Sequence, residues 1–295
     1  MVFFRRYLLV LGFSAVFSGV GQWAVAESVT NNIEEVEVTA DRVSEGYRAA
    51  SNSTATPFNL SLMETPQSVS VVTRVQMDDF GLNTVNDVLR YTTGIVVEAV
   101  ETDRTYYMAR GFEVTNFQLD GVGVPLPYGV ADGDFDTAIY DRVEVVRGAN
   151  GLMAGAGDPS ATVNMIRKRP TSSFGGNIKA SAGSWDNYRL EADVSGPFSD
   201  GARGRMVLAT QDSGSYLDRY GIEKNVAFGV AEFDLGERSW LRTGVSYQKS
   251  AADSPMWGAL TLVFSDGSSA QWDESTSTSA DWAFWDNEEI HYFAQ

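Results

Sequence analysis

Arg189-Leu190-Glu191-Ala192-Asp193-Val194-Ser195 is the stretch whose reading decides the fold. Successive side chains of a strand point to opposite faces. Leu190, Ala192 and Val194 therefore share one face, and Arg189, Glu191 and Asp193 share the other. Asn177-Ile178-Lys179-Ala180-Ser181-Ala182 and Leu241-Arg242-Thr243-Gly244-Val245-Ser246-Tyr247-Gln248 alternate in the same way, and 203–213 and 225–234 do so less regularly. A soluble sandwich also alternates, but these polar faces carry full charges and the apolar faces are small. Strands of about ten residues separated by turns fit the wall of an outer-membrane barrel, apolar toward lipid and polar toward the lumen. The connections alternate in length as well. Gly196 to Gly204 and Leu235 to Ser239 are short, whereas Ser213 to Lys224 and Ala251 onward are longer. Short periplasmic turns and long external loops produce that asymmetry.

The start of the chain agrees with export. Arg5 and Arg6 precede an apolar run from Tyr7 to Val20, and Ala24-Val25-Ala26 is a small-x-small cleavage pattern. Residues 1–26 read as a signal peptide cut before Glu27. An uncleaved anchor is the weaker reading, because the run falls short of the roughly 20 residues that a spanning helix needs. No later stretch is apolar for that length, so any further membrane crossing must use strands closed into a barrel, the other structure that satisfies its own backbone in lipid.

Composition narrows the function. The 295 residues hold 22 Lys plus Arg against 39 Asp plus Glu, for a net charge of −17. That acidity argues against a nucleic-acid partner, whose phosphates need clustered cations. With 0 Cys there are no disulfides, thiolate metal sites or thiol catalysis, and the 1 His, His291, leaves no imidazole cluster for a metal or triad. No catalytic set, metal site or bound cofactor is expected.

Three zones follow the leader. Residues 27–56 are polar and read as a flexible tail. Within it Glu35-Val36-Glu37-Val38-Thr39-Ala40 has strand character with nothing local to pair with. It suits either a strand added to a partner's sheet or the first edge strand of the next domain. Residues 57–170 read as a compact α/β domain. Its strands include Val69–Thr73, Ile95–Val97, Tyr106–Ala109, Phe117–Leu119, Ile139–Val146 and Thr162–Ile166, and Asp78 to Tyr91 has helical spacing with Asn83 or Thr84 as a cap. Residues 174–295 are the alternating strands.

Within these zones, the glycine run after Val146 lacks the Gly-Lys-Ser/Thr ending of a phosphate loop, and Pro159 opposes the helix that a dinucleotide site needs, so tight turns explain it. Asp132, Asp134 and Asp136 begin like a calcium loop, but the later Gly and Glu positions do not follow, so solvated loop charge is the reading. Tyr106, Tyr107, Tyr128, Trp257, Trp272, Trp282 and Trp285 fall in loops or near strand tips on this reading. They suit a small-molecule cup, against core packing for Tyr and an interfacial girdle for Trp.

Particular motifs then carry a resemblance. They are Thr65-Pro66-Gln67-Ser68-Val69-Ser70-Val71-Val72-Thr73, Arg110-Gly111-Phe112, Leu119-Asp120-Gly121, Asp141-Arg142-Val143-Glu144-Val145-Val146-Arg147-Gly148-Ala149 and the run from Gly155 to Pro170. Together they resemble the plug domain of TonB-dependent siderophore receptors. Ala182-Gly183-Ser184-Trp185-Asp186-Asn187-Tyr188-Arg189 is most similar to the barrel start of the ferric coprogen, rhodotorulic acid and pyoverdine type.

The resemblance implies a fold: an α/β plug followed by the first antiparallel strands of a large, 22-stranded-type transmembrane β-barrel. Such a wall needs several hundred residues, and 174–295 supplies about five or six strands, so the chain reads as an N-terminal fragment. The resemblance also implies roles. Glu35, Val36, Glu37, Val38, Thr39 and Ala40 would be the TonB box, paired with the energy-transducing TonB complex of the inner membrane. Loops around 101–107 and 122–135 would floor a cup for a ferric siderophore, hydroxamate type favoured, with contacts from Arg104, Tyr106, Tyr128 and Trp257. Iron would arrive already chelated. Arg110, Glu144 and Arg147 would lock the plug against wall acids. With only Glu27 to Glu34 ahead of the box, a separate signalling domain there is disfavoured. Haem, cobalamin or another chelate is an alternative ligand, and a passive porin or structural barrel an alternative class, which the compact zone at 57–170 disfavours.

Overall fold

The computed structural model describes residues 44–155 and 159–295. The expected signal peptide and TonB box lie outside the described residues. Asp41–Gln295 form one compact unit.

Four short strands open the described chain: β1 (Ser44–Glu45), β2 (Arg48–Ala49), β3 (Ser51–Asn52) and β4 (Leu60–Ser61). The plug's main elements follow as β5 (Ser68–Thr73), α1 (Arg74–Asp79), α2 (Val85–Tyr91), β6 (Val96–Ala99), β7 (Arg104–Ala109), β8 (Phe112–Glu113), β9 (Asn116–Leu119), β10 (Val122–Val124), β11 (Ala131–Asp132), β12 (Tyr140–Arg147), α3 (Gly151–Ala154) and β13 (Ala161–Arg167). The wall is β14 (Gly175–Gly183), β15 (Asn187–Ser199), β16 (Ala202–Gly214), β17 (Gly221–Gly236), β18 (Ser239–Asp253) and β19 (Phe284–Ala294).

One plug sheet runs β10-β9-β13-β12-β5, with β9 and β13 parallel and the other pairs antiparallel. A second runs β11-β7-β6, with β8 beside β7. The helical stretch expected over 78–91, its second part capped at Asn83 or Thr84, is two helices, the second capped at Thr84. Thr73 and Gln76 form a reciprocal capping box that starts α1 early. Gly81, at φ +63°, turns the chain between the helices, and the Thr84 hydroxyl accepts from the Asp87 amide to start α2. Met77, Val85, Val88 and Leu89 point into a core shared with Tyr107, Phe117, Val143, Val145, Val163 and Met165.

The domain begins earlier than position 57. Ala49, Asn52, Thr54 and Ala55 are buried, so 48–56 is a strap on the plug and not tail. The cause is a carboxylate. Glu144 lies wholly inside the central sheet, and a buried charge needs donors. The strap supplies three of them: the Ser53 amide (3.1 Å), the Thr54 amide (3.1 Å) and the Thr54 hydroxyl. Arg142 Nε supplies a fourth at 2.7 Å.

The six wall strands are antiparallel and paired in chain order, 9 to 16 residues long. Their burial is inverted relative to a soluble sheet. On β15 the charged residues Arg189, Glu191 and Asp193 are 7%, 6% and 5% exposed, while Leu190 and Val194 are 50% and 37% exposed. Met206 and Leu208 of β16 are likewise outward. The plug covers the charged face, and the apolar face is left for lipid. Val207, Ala209, Val226, Phe228 and Val230 on the covered face join the plug's core. Two-residue turns at 200–201 and 237–238 mark one end of the wall, and segments 184–186, 215–220 and 254–283 mark the other. No helix among the described residues is long and apolar enough to cross a membrane.

Candidate functional site

The long-loop end carries the candidate ligand cup. β7 alternates between half-buried and buried residues, so Arg104 and Tyr106 share the outward face. Arg104 meets Trp257 of the 254–283 loop, with its guanidinium carbon 3.9 Å from the indole centroid. Trp257 stacks on Trp285 at the start of β19, with centroids 5.2 Å apart and planes 20° from parallel. Glu101 holds Arg104 Nε from the other side, and that hydrogen bond raises the guanidinium's pKa. The stack is a flat cationic and aromatic surface, suited to a planar or anionic group.

The loop is tied to the plug beneath it, since the Met256 amide donates to Thr102 Oγ1 at 3.1 Å. Tyr128 stands free at the tip of a 3₁₀ turn, fully exposed and at φ +57°. A tyrosine in the left-handed region is strained, and such strain gathers at ligand clamps and switches. Two of the expected contacts, Arg104 and Trp257, thus touch one another. Tyr106 lies on the same plug face and Tyr128 apart at a tip. Of the two sequence readings for Tyr107, cup or core, the structure takes the core. Tyr107 is buried, packs on Phe117 at 5.0 Å and donates to Asn86 Oδ1 at 2.6 Å, and burial pushes its phenol pKa up. It is core, not cup.

The three expected lock residues keep to the plug among the described residues, and the wall partners expected for them lie partly beyond Gln295. Glu144 is satisfied inside the plug, as described above. Arg147 donates to Ser68 and Ser70 hydroxyls and to the Thr93 carbonyl, all plug groups. Arg110, at φ +55°, lies against Gly148. Burial and the neighbouring Arg110 lower the Arg147 pKa. Among the described residues none of the three pairs with the wall.

Other charges make the plug–wall junction. Arg189 of β15 donates bidentately to Asp136, at 2.6 and 2.8 Å. Asp136 also caps the turn Thr137–Ile139 through the Ala138 amide, and its own amide donates to Gln248 of β18 at 2.8 Å. Lys168 reaches Asp193 at 2.9 Å, and Arg205 braces the same carboxylate with 2.8 and 2.7 Å bonds. Lys224 faces Asp134 at 3.6 Å, and Lys179 meets Asp78 at 2.6 Å. The acids at 134 and 136, read from sequence as solvated, are the plug's half of the junction. The available signal was the charged face of 189–193, which needs counter-charges once it is covered. No group of three or more metal-ligating side chains exists among the described residues.

A strand wall with a charged inner face, covered by an inserted α/β domain, defines the plugged-barrel receptors of the outer membrane. This chain belongs to the TonB-dependent receptors, and residues 61–162 match the TonB-dependent Receptor Plug Domain family. It is 46% identical over 246 residues to the ferripyoverdine receptor of Pseudomonas aeruginosa, covering 81% of this chain and 30% of that protein. The crystal structure of that receptor bound to ferripyoverdine superposes with a TM-score of 0.81 at 44% identity, over 84% of this chain and 34% of the other. The alcaligin outer-membrane receptor of Bordetella pertussis gives a TM-score of 0.64 at 35% identity, over 85% and 43%. The chain thus spans about a third of the length of its first relatives.

Proposed function

We propose that the receptor containing this chain binds a ferric siderophore at its long-loop face and imports it with energy from TonB. The observation that carries the reading is the contact between Arg104 and Trp257. It joins the plug's apex to an external loop, so a ligand seated there touches both the part that moves and the part that captures. The names of the relatives, receptors for ferripyoverdine and alcaligin, support the ligand class. Within it a hydroxamate chelate is favoured. Tyr106 and Tyr128 complete the contacts, and Glu35 to Ala40 engage TonB as an added strand.

Titration of the full receptor with ferric hydroxamate, catecholate and citrate complexes tests the ligand class. Tight binding only to haem or cobalamin removes it. Deleting residues 35–40 tests the energy step: uptake is lost while surface binding stays. Uptake at the normal rate in that deletion sinks the mechanism.

A further inference from the structure

Beside the Arg104–Trp257 stack lies a chamber of about 550 Å³. It is open to one side and lined by the plug apex at Glu101, by Tyr216 and Tyr220 of one external loop, and by Met256, Asp273 and Glu274 of the next. That volume suits one arm of a ligand of small-molecule size. Three features fix its chemistry.

The lining is one-signed. It holds three carboxylates and no Lys, Arg or His. Asp273 and Glu274 are exposed, while the Glu101 side chain is only 1% exposed.

The buried carboxylate is half used. Arg104 Nε engages Glu101 Oε1, and Oε2 is buried without a hydrogen-bond partner. An acceptor left so is costly. Arg104 is committed to Glu101 Oε1 and to the face of Trp257. Among the described residues no donor meets Oε2.

The chamber is braced before any ligand arrives. The Asp218 amide donates to the Ser275 carbonyl at 2.7 Å and Arg219 to the Ser279 carbonyl at 2.7 Å. These bonds knit the two external loops together, and the Met256–Thr102 bond fastens them to the plug. Prior ordering lowers the cost of binding.

We infer that the chamber is a subsite for a cationic arm of the ligand, an ammonium or guanidinium group on an alkyl stem. The cation donates to Glu101 Oε2, the stem lies along Tyr216 and Met256, and Asp273 and Glu274 attract the charge at the mouth. The inference rests on the proposed ligand cup and adds the charge of the arm that enters it.

The test uses the full receptor and one chelate in two forms: a ferripyoverdine bearing a free primary amine, and the same chelate acetylated on that amine. Acetylation should weaken binding about tenfold, the scale of one charge-assisted hydrogen bond. In Glu101→Gln the two forms should bind alike. In the loop variant Asp273→Asn/Glu274→Gln, which leaves Arg104 untouched, the amine form alone should associate more slowly and with less salt dependence. Equal affinity of the two chelates for the unmodified receptor overturns the cationic subsite while leaving the ferric-siderophore reading standing. Discrimination retained in both variants overturns the assignment to this chamber. Binding of neither form overturns the subsite as one for an arm of this chelate, and the titration against the other ferric complexes decides the ligand class separately.

Discussion

Asp136 serves two structures with one carboxylate. It starts a turn in the plug and receives both arms of Arg189 from the wall. Breaking a buried ion pair from one side leaves an uncompensated charge, at about 3–5 kcal/mol. Arg189→Met should cost that much in the local opening energy of 137–139, read by amide hydrogen exchange. Adding Asp136→Asn should recover part of the loss, because the amide oxygen still caps the turn and no charge is stranded. Asp134 carries a pH signature. Burial raises its pKa above 3.8, against the pull of Lys224. A carboxyl with a raised folded pKa adds stability below its unfolded value, and that contribution fades as pH rises through the folded value. Junction stability should therefore decline as pH climbs from 3.8. Asp134→Asn, neutral at every pH, should flatten that slope and hold the junction near its low-pH stability; denaturation profiles across pH, with an unchanged slope in the variant, would refute the assignment. At this scale the sequence was least legible. Asp136 and Arg189 lie 53 positions apart, and the acid's role exists only once the wall closes over it.

Elements were more legible where their signals are local. Thr84 could be named as a cap because the cap, the turn and the helix lie within a few residues. The strap at 48–56 could not, for its chemistry depends on Glu144, 90 residues away from Thr54. Its Ser, Thr and Asn look like tail composition until a buried carboxylate claims their hydrogen-bond donors. Thr54 is held at every polar atom: its amide and hydroxyl by Glu144, its carbonyl by Asn150 at 3.0 Å, and its hydroxyl oxygen again by Asn164 at 2.9 Å. Glu144→Gln should convert charge-assisted bonds to neutral ones and cost the strap about 1–2 kcal/mol. Hydrogen exchange should quicken at Ser53 and Thr54 while the β5–β12–β13 sheet stays protected. If the sheet loosens equally, the strap is not a separate unit of stability.

At the scale of the whole molecule, alternation along 189–195 was enough to predict a wall, because period two is a local pattern with a global consequence. What alternation leaves open is which end faces out. The structure separates the ends by loop length: two residues at 200–201 and 237–238, against thirty positions at 254–283. Long loops belong outside and short turns in the periplasm. These 295 residues hold no cysteine, so an introduced thiol is the sole target within them, and the unsubstituted receptor supplies the labelling background. Ser265 and Glu237 are both exposed, one in each kind of segment. In the full receptor, Ser265→Cys should react with a membrane-impermeant maleimide on intact cells. Glu237→Cys should react only after the outer membrane is opened. Labelling of Glu237→Cys on intact cells, with Ser265→Cys silent, would invert the wall. It would also move the Arg104–Trp257 stack to the periplasmic side, where it could not capture a ligand from outside.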